Sequence, residues 1–381
     1  MRRSIGAAAV AVALCLAAAA GARTVPVRDT GELADAIAHA APGDDIVLAD
    51  GHYLLTHKLA ALASGTAPAP ITVRAAHRWA THIDSAGVIA FEVTGAHWRF
   101  ADLEIRGVCP QDTLCEHAFH VVGAADGFRL TGSRLMDFNA HVKVNADDAR
   151  HLPAGGLIAN NEFFDTHPRH TNNPVAPINI DDAVSWVVQG NVVHDFQKDG
   201  GGEGAYGIFV KGGSQNPILE RNLVLCARDA NVRGEIVGLS FGAHGMDPAL
   251  CPPHWNAAVT CDPEVSGGIM RNNIVANCSG DGIYLNKARD SKILFNTLVR
   301  TDGVTFRYPG STGVARGNML NAPVRSRDGG SFTDGGNATP AGPATLPPDS
   351  LVTDDFCGRP RRGRLDIGAY QTSLGPCRHQ R

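Results

Sequence analysis

Six short segments of this chain share one form: usually a small or polar residue, then asparagine, then apolar residues. They are Asn160-Asn161-Glu162-Phe163, Gly190-Asn191-Val192-Val193, Arg221-Asn222-Leu223-Val224, Asn272-Asn273-Ile274-Val275, Phe295-Asn296-Thr297-Leu298 and Gly317-Asn318-Met319-Leu320. The anchors Asn161, Asn191, Asn222, Asn273, Asn296 and Asn318 are spaced by 30, 31, 51, 23 and 22 residues. Two degenerate copies precede them, around Ser133 and Asp102. A period of about 20 to 50 residues marks a repeat architecture. Each repeat holds short β-branched runs between Gly, Asn and Asp turns, with no helical periodicity inside it. The pattern predicts an all-β fold, a right-handed parallel β-helix, in which Asn occupies one tight turn because it tolerates the left-handed conformation. Stacked Asn side chains are expected to bond to one another along the axis.

A solenoid grows in one dimension, so 381 residues need no division of the core. Aromatics make up only 6% of the chain, which points to a core of Ile, Val, Leu and Ala. Residues 1–22 read as a secretory signal: Arg2 and Arg3, an apolar stretch from Ile5 to Leu16, then Ala20-Gly21-Ala22. The apolar run is too short for a membrane span. Export, to a periplasm or the exterior, fits the cysteines, since eight of nine lie beyond the signal. Cys109 with Cys115, Cys251 with Cys261 and Cys357 with Cys377 are close in sequence, and Cys226 with Cys278 remain; one or two free thiols are the alternative. The net charge of −4 excludes a basic nucleic-acid footprint.

The β-helix domain is expected over residues 23–327. Asp29-Thr30-Gly31-Glu32 is a capping-box pattern with Leu33, Ile37 and Ala40 behind it, which predicts an N-terminal capping helix. Residues 243–266 interrupt the period as a long, disulfide-closed loop. Residues 328–353 read as a Gly/Pro-rich linker, and residues 354–381 as a closing segment with a solvated basic run from Arg359 to Arg364.

Before most anchors stands a short alternating strand. Period two places Val142, Ile180, Val210, Leu239 and Leu285 inside and aims Asn145, Asp181, Lys211, Ser240, Asn286 and Arg307 outward. A second outward column holds Lys143, Asn179, Phe209, Gly238, Tyr284 and Thr305. Amides suit sugar hydroxyls, aromatic faces suit sugar rings, and Lys and Arg suit carboxylates. One face is therefore expected to bind an acidic polysaccharide, with Asn145, Asp181, Tyr284, Asn286, Arg307 and His244 as contacts, in a monomer. The bland alternative is a polar exterior in which Asp181 and Lys211 merely pair across coils.

The segment Gly207-Ile208-Phe209-Val210-Lys211-Gly212-Gly213-Ser214, followed by Asn222, Cys226 and Asn231-Val232-Arg233-Gly234, resembles the chondroitinase B and alginate lyase family of β-helix polysaccharide lyases. The resemblance implies β-elimination on a uronate, with Lys211 as base and Arg233 as acid. Where that family places two acidic calcium ligands, this chain has Gly204 and Tyr206. Asn179, Asp181 and Glu203 are the nearest oxygen donors for calcium. Two rival readings stand beside the lyase. One is a polygalacturonase-like glycoside hydrolase built on Asp181, Asp182, Glu203 and His244, although adjacent strand residues should point to opposite faces. The other is a glycan-binding or cell-envelope scaffold without catalysis.

Overall fold

A computed structural model of the chain describes residues 23–202, 204–228, 234–242, 250–340, 342–375 and 377. The predicted signal lies outside these residues. Short apolar runs separated by turns have one way to bury themselves repeatedly, which is to stack. The chain does so as a right-handed parallel β-helix with three long parallel sheets, one of twelve strands and two of ten. Sheet 1 runs from Thr24–Val27 to Thr333–Asp334, sheet 2 from Gly51–Leu55 to Met319–Leu320, and sheet 3 from Leu59–Ala61 to Val324–Arg327. A regular coil contributes one strand to each.

Inward positions alternate as period two demands, and Val142, Ile180, Val210, Leu239 and Leu285 are all fully buried. The core differs from expectation in one respect. Its N-terminal coils are filled by Phe91, Phe100, Phe119 and Phe128, stacked or tilted with ring centroids 4.8–6.0 Å apart, with Trp98 and Trp186 alongside. The few aromatics are concentrated inside, where each buried ring contributes about 1.5–3 kcal/mol.

The asparagine ladder forms as expected, but the left-handed residue is the one before each anchor. Positive φ falls on Asn160, Gly190, Arg221, Asn272, Phe295 and Gly317. The anchors instead serve as buried hydrogen-bonding groups. Each donates its backbone N–H and its Nδ2 to the Oδ1 of the next coil's Asn, from Asn161 to Asn191 at 3.0 Å through to Asn318. A second Nδ2 bond reaches a backbone carbonyl of the preceding coil. The degenerate copy joins in: Leu103 N–H donates to Ser133 Oγ, and Ser133 N–H donates to Asn161 Oδ1. At the far end Asn318 donates to Asn337.

Residues 328–353, expected as a linker, thus carry a further ladder member and the last sheet 1 strand. The helix Thr30–Ala38 starts at Asp29, whose carboxylate accepts from Glu32 N–H, and buries Leu33 and Ile37. All four cysteine pairs are disulfides, Cys109–Cys115, Cys226–Cys278, Cys251–Cys261 and Cys357–Cys377. The terminal basic run is not solvated throughout. Arg361 is buried, donating to Asn272 and to the carbonyls of Gly368 and Ala369, and Arg359 pairs with Asp355 at 2.7 Å. Among the described residues no helix is long and apolar enough to cross a membrane.

Candidate active site on sheet 3

The outward residues of sheet 3 form columns because parallel pairing fixes register. One column runs His120, Lys143, Asn179, Phe209, Ser240, Tyr284, Thr305 and Arg325. Ser240 therefore sits between Phe209 and Tyr284, not beside Lys211, and Gly238 is paired with Gly207 away from the aromatics. The alternation slips at those glycines. Added Cβ atoms there would collide with core side chains, Val224 at Gly207 and Val275 at Gly238. Glycine lets two successive residues face the core side, and Tyr206 and Phe209 then both point outward. Their rings stack 4.5 Å apart in a small cluster with Ala176, Val237 and Tyr284.

Two polar groups lie on this face. The first centres on Asp181, which is 5% exposed at the end of the strand Ile178–Asp181. Its Oδ2 is ion-paired with Lys143, and Lys211 Nζ lies 3.9 Å from the same oxygen. Lys143 stands two residues off register from Asp181 and reaches it diagonally, passing Asn179 Oδ1 at 3.4 Å. Lys211 Nζ also lies 5.0 Å over the Phe209 ring. Upstream, Asn145 Oδ1 meets His120 Nε2 at 2.7 Å. Burial, with His120 and Lys143 nearby, pushes His117 down to about 3, so its ring is neutral.

Asp182 belongs to this group, contrary to the expectation that it faces away. The strand ends at Asp181 and Asp182 takes φ 51°, so alternation no longer applies. Burial and the charge of Asp181 push the Asp182 carboxyl up to about 8, while Lys143 and Lys211 pull it down. The second group lies further along the same column. Tyr284 hydroxyl accepts from Arg307 Nη1 at 3.2 Å and from Asn286 Nδ2 at 3.4 Å, and Arg307 Nε donates to Asp328 at 2.6 Å. Burial raises the Tyr284 hydroxyl above its ordinary range.

Of the residues singled out in the sequence, Asn145, Asn179, Asp181 and Lys211 gather in the first group and Tyr284, Asn286 and Arg307 in the second. Arg233, His244 and Glu203 lie outside the described residues. Asn179 Oδ1 and Asp181 Oδ2 face the Lys143 ammonium, while Asp181 Oδ1 is buried without a hydrogen-bond partner. Among the described residues no three His, Cys, Asp or Glu side chains gather as a metal site. Sequence reasoning left Lys143 as a mere column member and passed over His120. The alternation of Lys143 with Asn145 does mark it as outward, but its diagonal reach needs the coordinates.

The chondroitinase B family profile matches residues 27–186, a span that includes Lys143, Asn179 and Asp181 and ends before Lys211. Among solved structures, pectate lyase Pel9A superposes at a TM-score of 0.56 and 13% identity, covering 92% of this chain and 96% of that one. An alginate lyase from Paenibacillus sp. str. FPU-7 gives 0.51 and 17%, covering 84% and 96%. A GH136 lacto-N-biosidase from Eubacterium ramulus gives 0.50 and 11%, covering 83% and 67%. No curated protein matches the chain. At such identities the structural likeness speaks for the fold, and the fold is shared by lyases and a glycosidase. This chain is thus a right-handed parallel β-helix protein whose N-terminal coils, residues 27–186, resemble the chondroitinase B family.

Proposed function

We propose that the protein is an exported lyase that cleaves an acidic, uronate-containing polysaccharide by β-elimination on the outward face of sheet 3. The observation that carries this reading is the convergence of two ammonium groups, Lys143 and Lys211, on one oxygen of Asp181, beside an aromatic floor. Elimination needs a cation at the uronate carboxylate, so that the adjacent carbon gives up its proton, and a base to take that proton. The C–H electrons form the new C=C bond, the C–O bond to the neighbouring sugar breaks, and an acid protonates the departing oxygen. Lys143 supplies the cation in the place that calcium would take. Lys211, the more loosely held of the two, turns to the substrate as base. Arg233 remains the acid or a charge clamp for the leaving oxygen. Tyr284, Asn286 and Arg307 hold a more distant sugar. Four disulfides support export, since such bonds persist in oxidising compartments.

The test is ultraviolet absorbance of unsaturated uronate during incubation with alginate, chondroitin and dermatan sulfates, and pectate. The expected trace rises, is unaffected by a chelator, and is lost in Lys211→Ala. A chelator-sensitive rise would return charge neutralisation to a metal. A flat trace on all four would overturn the reading for these substrates. One observation favours a hydrolase as second reading. Asp182 holds a proton near neutrality beside the ion-paired Asp181, and an acid with a neighbouring carboxylate is what glycosidases use. Release of reducing ends without absorbance would select it.

A further inference from the structure

A second face of the molecule carries two arginines with nothing to hold. Sheet 1 has several arginines on its strands, and most of them meet an acid. Arg74 pairs with Asp45 at 2.9 Å, Arg271 with Glu220 at 2.6 Å and Arg316 with Asp349 at 3.5 Å. Arg99 and Arg129 are the exception. They are direct partners on adjacent rungs, so their Cα atoms stand at the strand spacing of roughly 4.8 Å. Among the described residues neither side chain makes a hydrogen bond or an ion pair. Like charges directly opposite in a sheet destabilise it, and arginine forks are shaped for oxyanions.

The pair also borders a built concavity. A cavity of about 410 Å³ opens at the corner where the chain enters sheet 1, lined by His97, Arg99, Asp126, Gly127, Arg129 and Ala154 among others. Its shape depends on glycine. Gly127 has φ 66°, and a Cβ there would collide with the His97 ring that packs over it. Asp126 is tied down, accepting from Ala154 N–H at 2.8 Å, which leaves its other oxygen at the rim. The cavity therefore offers a paired guanidinium fork on one side, an imidazole on another and a carboxylate acceptor at the rim. Two forks suit an oxyanion, and the carboxylate and imidazole suit hydroxyls.

We propose that this corner is a binding site for a sugar bearing a carboxylate or sulfate, on a different sheet from the candidate active site. Sheets 1 and 3 face outward in different directions, so the site would anchor a second stretch of an acidic glycan. It stands independently of any catalysis on sheet 3, because its evidence is the unpaired arginines and their cavity.

The experiment is calorimetric titration of the mature chain with trigalacturonate at low ionic strength. Hydrogen exchange read over residues 97–101 and 126–131 accompanies it. In the wild-type chain the sugar acid should protect both segments, and Arg99→Gln with Arg129→Gln should weaken that site by at least about tenfold and abolish the protection. The double variant should fold normally, since it removes a repulsion and no partner, and it should keep any sheet 3 activity. Unchanged titration and protection in the variant would overturn the proposal. So would inorganic sulfate binding this corner as tightly as trigalacturonate, which would make it a site for a free oxyanion. Failure of the lyase reading would show in the absorbance assay and leave this result untouched.

Discussion

Asp182 shows how one backbone angle moves a side chain from one side of a sheet to the other. Alternation holds from Ile178 to Asp181 and fails at the next residue, where φ turns positive. The outcome is a buried carboxyl against Asp181, raised to about 8. The sign of its effect on stability follows. The folded protein holds this proton over a range in which the unfolded chain has lost it, so stability declines as pH rises from about 4 to 8. Asp182→Asn should flatten that decline and leave the variant more stable than wild type at alkaline pH, as read from denaturation midpoints across pH. A parallel slope in both proteins would show that Asp182 is ionised throughout. At this scale the sequence disclosed Asp181 beside Lys211, because they follow from period two and one register. It did not disclose Lys143 as the closer partner of Asp181, because a flexible lysine stem can choose a diagonal neighbour. Nor did it disclose Asp182, whose place depends on a turn.

At the scale of the element, the asparagine ladder is the part most legible in sequence, since its spacing alone revealed the coils. Its physical basis was less so. The turn's left-handed position tolerates Gly, Asn, Arg and Phe, whereas the anchor admits few residues because it must both donate and accept in a dry interior. Asn222 donates to Val188 and Asn273 and accepts from Asn191. Asn222→Ala would leave several buried groups without partners, and each such group costs about 1–3 kcal/mol. A loss of about 3 kcal/mol or more in chemical denaturation is the expected result. Asn161→Ser should cost less, because Ser133 already shows that a hydroxyl can accept the preceding coil's N–H. The columns of sheet 3 were legible except at Gly207 and Gly238. A glycine gives no sign in the sequence of which way its missing side chain would have pointed.

At the scale of the whole molecule, stability is a matter of neighbours in the stack. Cys226–Cys278 joins two coils across a sequence separation of 52, while Cys109–Cys115 closes a separation of 6. Loop entropy then predicts that replacing both cysteines of the first pair with alanine costs about 4 kcal/mol, and of the second about 2 kcal/mol. Denaturation of the two double variants checks the order, and an equal or reversed loss would show that strain or residual structure outweighs chain entropy. A solenoid has another property that a globular core lacks. Its ladder repeats without curving back, so Asn296 and Asn318 mark the start of one coil and the next, 22 residues apart. Duplicating that unit would add one rung to every sheet and extend the outward face of sheet 3 by roughly 4.8 Å, with the existing columns continued in register. The reach of such a surface along a polymer is therefore quantised. Evolution can lengthen or shorten it a coil at a time, provided that each added rung supplies partners to the rungs on either side of it.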